Sequence, residues 1–224
     1  MRKIFRLRNI LALVILLLGV ALIFSDQIER YAIERYTAYY LNNTTAETIK
    51  ANQKKKGNFN FAKVKPIGMT NVVQAAVDKP NVLGKMAIPD AGMYLPILNG
   101  LSDNNLATGA GTMKQDEEMG KGNYALAGHY MTENGPLFSN LDKVAIGQGV
   151  YITDMTNIYV YRVTSVQTVY RNQTQWVDDV KGHKTITLIT CASSQLDEAN
   201  RLVVRGEFVQ KIPATKERLK VFRI

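Results

Sequence analysis

Residues able to carry out covalent chemistry are scarce in this chain: among 224 there is one cysteine, and there are two histidines. Cys191 closes the stretch TITLITC, in which threonines and aliphatic residues alternate from Thr185 to Thr190, the pattern of a β-strand. A lone thiol at a strand exit is a small buried hydrophobe, half of an intermolecular bridge, or a nucleophile. A nucleophilic thiol needs a partner that takes up a proton and hands it to the leaving group. His129 ends the apolar run NYALAGH and so also stands at a strand exit, whereas His183 lies in the polar stretch VKGHK. Acyl transfer further requires a donor for the developing oxyanion. A nine-residue connection, ASSQLDEAN, follows Cys191 and leads into RLVVRGEFV. If the two strands pair antiparallel, Arg201 returns beside Cys191, and Arg205 falls about 13 Å further along the same face. Charge on an edge strand is the competing account of either arginine.

The elements that must position these residues are short and β-rich. From about Leu83 onward come GKMAIPD, MYLPILNG, NYALAGHY, GVYITD, NIYVYRVTSVQTVY, TITLITC and RLVVRGEFVQKI, separated by Gly, Pro, Asp and Asn. Seven or eight such segments with little helix between them predict an all-β domain, a closed barrel or a sandwich. Closure suits a domain of this size because it removes open edges. The single tryptophan, Trp176, falls in RNQTQWVDDVKGHK, a connection long enough to be functional or mobile.

Upstream, Arg2, Lys3, Arg6 and Arg8 precede an uncharged run from Asn9 to Ser25. Seventeen helical residues span roughly 25 Å, enough to cross the hydrocarbon core with snorkelling flanks. A small-x-small cleavage site occurs at Gly19-Val20-Ala21, but it lies inside the apolar run, which favours an uncleaved anchor. Basic charge before the run, against Asp26 and Glu29 after it, keeps the N-terminus cytoplasmic. The expected organisation is therefore a basic segment over 1–8, an anchor over 9–25, a helical stalk or linker over 26–80, a β-domain over 81–213 and a basic tail over 214–224; the helical part after the anchor reads as a stalk or as a helix lying on the domain or membrane. The run KKKGN at 54–58 reads as a solvated linker or as a contact with anionic lipid or wall polymer. The net charge of +9 fits an anionic membrane surface. The sequence has no zinc-ligand spacing, ribonucleoprotein signature or helix-turn-helix pattern, which argues against nucleic acid as a partner. Exported proteins usually carry cysteines in pairs, so a single thiol calls for another explanation than a structural bridge.

TLITC, with LAGH before it and NRLVVRGEF after it, resembles the sortases of Gram-positive bacteria. More narrowly it resembles class A, the housekeeping type, over roughly Leu83 to Ile212, with the N-terminal anchor also similar. MAIPDAGMYLPILNG, LATGAGTM and MGKGNYALAGHYMTENGPLFSNLDKV support the likeness. The resemblance implies an eight-stranded β-barrel with short helices and an N-terminal transmembrane helix. It also implies a transpeptidase that reads LPxTG sorting signals on secreted proteins and joins them to an amine of the cell-wall precursor lipid II. Carried over, Cys191 is the nucleophile, His129 the general acid/base and Arg201 the group steadying the substrate carbonyl and oxyanion. The partners implied are LPxTG proteins, lipid II and membrane lipids. Because the amide's energy is conserved in a thioester, no cofactor is required.

The same resemblance places Thr190, Ile189 and Ala127 along the sorting-signal groove, and Trp176 and Val177 in the loop covering the Leu-Pro part of the signal. Core packing is the competing account of Ile189, Ala127 and Trp176. Asp116, Glu117 and Glu118, with Asp178 or Asp179, are similar to a calcium site of some class A members; a solvated acidic turn is the favoured account of them. No long C-terminal extension and no DPW- or DPF-type lid is present, unlike class C, and the Trp176 connection is short for the extra helix of class B. A cell-wall L,D-transpeptidase is the enzymatic rival, though its SxGCxR context is absent. A non-catalytic, membrane-tethered wall-binding module is the rival from another class.

Overall fold

The computed structural model describes residues 2–60, 80–195 and 197–224. Among them, eight strands close into one barrel: β1 (Val82–Ile88), β2 (Met93–Leu98), β3 (Ala110–Thr112), β4 (Asn123–Ala127), β5 (Gly149–Thr153), β6 (Asn157–Tyr170), β7 (Thr185–Cys191) and β8 (Asn200–Pro213). Around the barrel they run β1-β2-β3-β4-β7-β8-β6-β5, with β5 pairing back onto β1. The all-β fold read from the segment spacing is the fold observed.

Two of the pairings are parallel, β2 with β3 and β4 with β7. The second matters most for function. Parallel strands leave the sheet at the same rim, so β4 and β7 deliver their C-terminal residues side by side. The interior is filled by one face of each strand: Met86 and Ile88, Tyr124 and Leu126, Ile186 and Leu188, Val150 and Ile152, with Val204 from β8. Strand periodicity then turns the intervening residues outward. On β7 those are Thr185, Thr187, Ile189 and Cys191.

Residues before the barrel form α1 (Arg2–Ile23), α2 (Ser25–Asn43) and α3 (Ala46–Asn52). Of the two expected arrangements, a stalk or a helix lying on the domain or membrane, α2 takes up a place on the barrel. Ile33 is fully buried in the main core cluster, Thr37 and Leu41 follow at one-turn intervals, and Thr37 Oγ1 donates to Thr108 O at 2.7 Å. Ile49 of α3 is also buried, Asn52 Nδ2 donates to Val82 O, and Asn58 bridges to Gly100. The remainder of that segment, 61–79, lies outside the described residues. Among the described residues no single helix is long and apolar enough to cross a membrane alone; Asn9–Ile23 and Ser25–Asn43 meet that measure only as a pair bent by 67°.

The C-terminus likewise is not a free basic tail. Thr215 caps a short helix, Lys216–Leu219, and Phe222 is fully buried with Ala87 and Ile158 outside the barrel wall. The Arg223 guanidinium stacks 4.1 Å from the Tyr94 ring. The tail's charges concealed an apolar plug: Leu219, Val221 and Ile224 join the same cluster.

Candidate active site

β4 and β7 run in parallel register to the pair Ala127 and Ile189. Beyond it, the Gly128 N–H donates to Ile189 O at 3.1 Å, and the Thr190 hydroxyl donates to Gly128 O at 2.8 Å. His129 and Cys191 each follow two residues after the last register pair, so the exits of β4 and β7 bring them to the same rim. On the other side of β7, the antiparallel register sets Cys191 directly opposite Arg201. Side chains of directly opposed residues share a face, with Cβ atoms about 4.5–5.5 Å apart. Three adjacent strands thus carry His129, Cys191 and Arg201 in one row at one rim of the barrel.

The imidazole is largely enclosed by protein. His129 Nε2 is buried and makes no hydrogen bond to the described residues. Burial pushes the His129 pKa down to about 4, against a smaller upward pull from Asp103, so the ring is neutral at neutral pH. The backbone is fixed by the Phe138 N–H, which donates to His129 O at 3.0 Å. Gly128 is required by close approach: a Cβ there would sit 2.5 Å from the Phe138 ring. Cys191 is a free thiol, partly exposed.

Arg201 Nη1 donates to Glu198 O at 2.6 Å and to Asn200 O at 3.0 Å, and the guanidinium has no carboxylate partner among the described residues. Glu198 is held elsewhere, by the Ser193 hydroxyl and the Asn200 N–H, and these bonds hold its carboxyl below the usual range. The Arg201 charge also draws the Glu198 carboxyl down, and Arg201 itself stands opposite Cys191 in the strand register.

The predicted groove residues divide. Ala127 and Ile189 are neighbours on the outer face, and Ala127 also packs with Leu101, Leu106 and Met113. Thr190 cannot share that face. It alternates with Cys191, pairs with Leu202, is 2% exposed and spends its hydroxyl on Gly128 O. Thr190 thereby supports the turn that carries His129. Trp176 and Val177 lie on the loop between β6 and β7, around the 3-10 turn Thr174–Trp176, and both are half-buried.

What holds that loop escaped the sequence. Asn123, 1% exposed, places Nδ2 2.9–3.1 Å from the carbonyls of Trp176, Val177 and Asp178, while its Oδ1 accepts from Thr185 and Thr187. Arg205 completes the brace. Its Nε donates to Thr187 Oγ1, its Nη2 to Trp176 O at 2.8 Å, and its guanidinium lies 4.6 Å from the Trp176 ring. Arg205 is therefore no surface charge. The polar residue opening the apolar run NYALAGH is the signal that could have revealed the brace.

The acidic residues weighed for calcium do not assemble a cage. Glu117 gives Oε1 to the N–H groups of Met113 and Lys114 and Oε2 to that of Ala125, while burial pushes its pKa up to about 7. Glu118 pairs with Lys121, and Asp179 with Lys114 at 2.6 Å and the Asn123 N–H. Asp116 occupies a left-handed turn position, and among the described residues no three candidate ligands cluster. The Lys114–Asp179 pair ties the β3–β4 connection to the β6–β7 loop directly.

A closed mixed barrel that sets a thiol, an imidazole and a guanidinium in a row at one rim defines a cysteine acyl-transferase. The family model described as Sortase domain matches residues 86–209. Sortase A of Listeria monocytogenes is 36% identical over 214 residues, covering 94% of this chain and 96% of that protein. Sortase A of Bacillus anthracis is 38% identical over 180 residues, 78% and 85% of the two chains. The solved structure of the Listeria sortase A matches with a TM-score of 0.61 at 38% identity, over 64% of this chain and 98% of that one. The chain belongs to the sortase family, in its sortase A branch, and is a sortase transpeptidase. The L,D-transpeptidase and the non-catalytic module are set aside.

Proposed function

We propose that the protein is a membrane-anchored transpeptidase that cleaves the Thr–Gly bond of LPxTG sorting signals and transfers the acyl group to an amine of lipid II. The observation that carries this reading is the row of His129, Cys191 and Arg201 on three adjacent strands. Cys191 Sγ attacks the threonine carbonyl carbon while neutral His129 takes the thiol proton. Arg201 donates to the oxygen as it gains charge. The C–N bond breaks, His129 returns the proton to the departing glycine nitrogen, and a thioester remains. An incoming amine then attacks the same carbon, gives a proton to His129, and expels Cys191, which recovers it. Bonds and protons balance without a cofactor. Ile189 and Ala127 form the groove floor, and Trp176 and Val177 its wall. The apolar run from Asn9, preceded by four basic residues, is the anchor, with the N-terminus cytoplasmic and the barrel outside.

Incubating the full chain in detergent with an LPxTG peptide and a glycine-type amine tests this by mass spectrometry. A mixed amide product and a thioester adduct, both lost in Cys191→Ala, are expected. No adduct and no exchange with any LPxTG variant would sink the reading.

A further inference from the structure

The helix after the anchor has two faces, and the barrel uses one. Ile33, Thr37 and Leu41 of α2 are buried against the barrel. On the opposite side Ile28, Tyr31, Arg35, Tyr39 and Asn42 recur at intervals of three and four, forming one exposed stripe. Ile28 is 46% exposed, Tyr31 65% and Tyr39 58%, an unusual outlay of large side chains for a face in water. The helix carries three carboxylates, Asp26, Glu29 and Glu34, and none falls on the stripe. At helical spacing, Asp26 and Glu29 belong to the barrel side, and Glu34 lines the cleft between α2 and β2.

Continuity identifies what the stripe meets. α1 is exposed and apolar from Ile10 to Ile23, and the chain passes from it into α2 through one bend of 67° at Phe24. With α1 along a bilayer normal, α2 lies about 23° off the membrane plane, the complement of that bend. A helix of 19 residues is about 28 Å long, so its far end rises only about 11 Å, less with an ordinary anchor tilt near 20°. Tyrosines seek the headgroup level, and arginine reaches phosphate while its stem stays apolar. The barrel occupies the side of α2 opposite the stripe, so it remains in water.

We propose that α2 is an interfacial helix whose Ile28–Tyr31–Arg35–Tyr39 stripe lies in the headgroup layer of the bilayer, fixing the catalytic barrel rigidly against the membrane surface. The proposal rests on α1 being the membrane anchor. Its consequence is a rim held at a set height and orientation instead of one swinging on a stalk.

Depth-dependent fluorescence quenching tests it with the full chain in phosphatidylcholine/phosphatidylglycerol vesicles. In a Trp176→Phe background, single tryptophans are placed by Leu16→Trp, Tyr31→Trp and Tyr39→Trp. Lipids brominated near the headgroup end or deep in the acyl chain serve as quenchers. Tyr31→Trp and Tyr39→Trp should lose at least twofold in intensity to the shallow quencher and less to the deep one, with Leu16→Trp showing the reverse. Quenching of Leu16→Trp with neither tyrosine position affected would overturn the interfacial helix and leave the anchor standing. A Leu16→Trp signal untouched by both quenchers would overturn the anchor and the proposal together.

Discussion

Cys191 and Arg201 are directly opposed across the antiparallel pair of β7 and β8, so the sole thiol and the first arginine after its loop share one face. Among the described residues Arg201 hydrogen-bonds the backbone carbonyls of Glu198 and Asn200 and no carboxylate, so removing its side chain leaves no broken ion pair behind. Arg201→Ala should lower kcat by about two to three orders of magnitude with KM changed little, as loss of an oxyanion donor does. Steady-state kinetics on an LPxTG peptide, with circular dichroism confirming the fold, measures it. An equal fall in kcat in Arg205→Ala would remove Arg201 from the special role.

Arg205 holds the loop, and its variant should read differently. It ties Thr187 on β7 to the Trp176 carbonyl and ring. Losing two charge-assisted hydrogen bonds and a ring contact costs at least about 1.5–3 kcal/mol. Arg205→Ala should therefore raise KM roughly tenfold or more, 1.4 kcal/mol being a factor of ten, while kcat stays within a few-fold. A kcat defect with normal KM would contradict the assignment.

How much of this was legible depended on whether chemistry or packing wrote the pattern. The alternation in Thr185–Thr190 and the exits at His129 and Cys191 are written in residue type, and the fold followed them. That same alternation puts Thr190 on the face opposite Cys191, where its hydroxyl holds Gly128 O. The sequence left α2 open between a stalk and a docked helix, because its barrel face places Thr37 between Ile33 and Leu41 while tyrosines on the far face blur the apolar period. Phe222 was masked by the charges around it. Asn123 depends on a loop that comes more than 50 residues later, and no local pattern encodes that meeting.

The Asn123 amide is satisfied on both sides at once, so its loss is costly. Asn123→Ala removes the acceptor of two threonine hydroxyls and the donor to the Val177 and Asp178 carbonyls, while Trp176 O keeps its bond from Arg205. Unmade buried hydrogen bonds cost about 1–3 kcal/mol each where water cannot replace the partner. Urea unfolding should show a loss of roughly 2–4 kcal/mol, and hydrogen exchange should show lost protection centred on residues 174–179. Destabilisation without any change in that loop would mean that Asn123 acts only within β4.

Gly128 predicts a coupling between packing and chemistry. A methyl at this position collides with the Phe138 ring, which is fully buried in the main core and cannot retreat. The strain must move the backbone between Ala127 and His129 and so shift the imidazole relative to Cys191. Gly128→Ala should cost about 1–3 kcal/mol of stability and at least tenfold in kcat. Restoring room with the double variant Gly128→Ala/Phe138→Leu should recover activity in part. No recovery in the double variant would break the link to Phe138.

The neutral state of His129 gives the stability a pH dependence of definite sign. Its folded pKa is depressed to about 4 from an ordinary value of 6.5. Between those limits the unfolded chain takes up a proton at this residue and the folded chain does not, so stability falls as pH falls through the window. Above about pH 7 both states are neutral at this position and the contribution is flat. Urea unfolding of the wild type and of His129→Gln, in the same detergent from pH 4.5 to 7.5, isolates it. The wild type should lose stability relative to the variant on the acidic side, with the difference constant above neutrality. A difference that grew in favour of the wild type as pH fell would instead mean the imidazole is charged in the fold. In that case His129 could not accept the thiol proton at the start of the reaction.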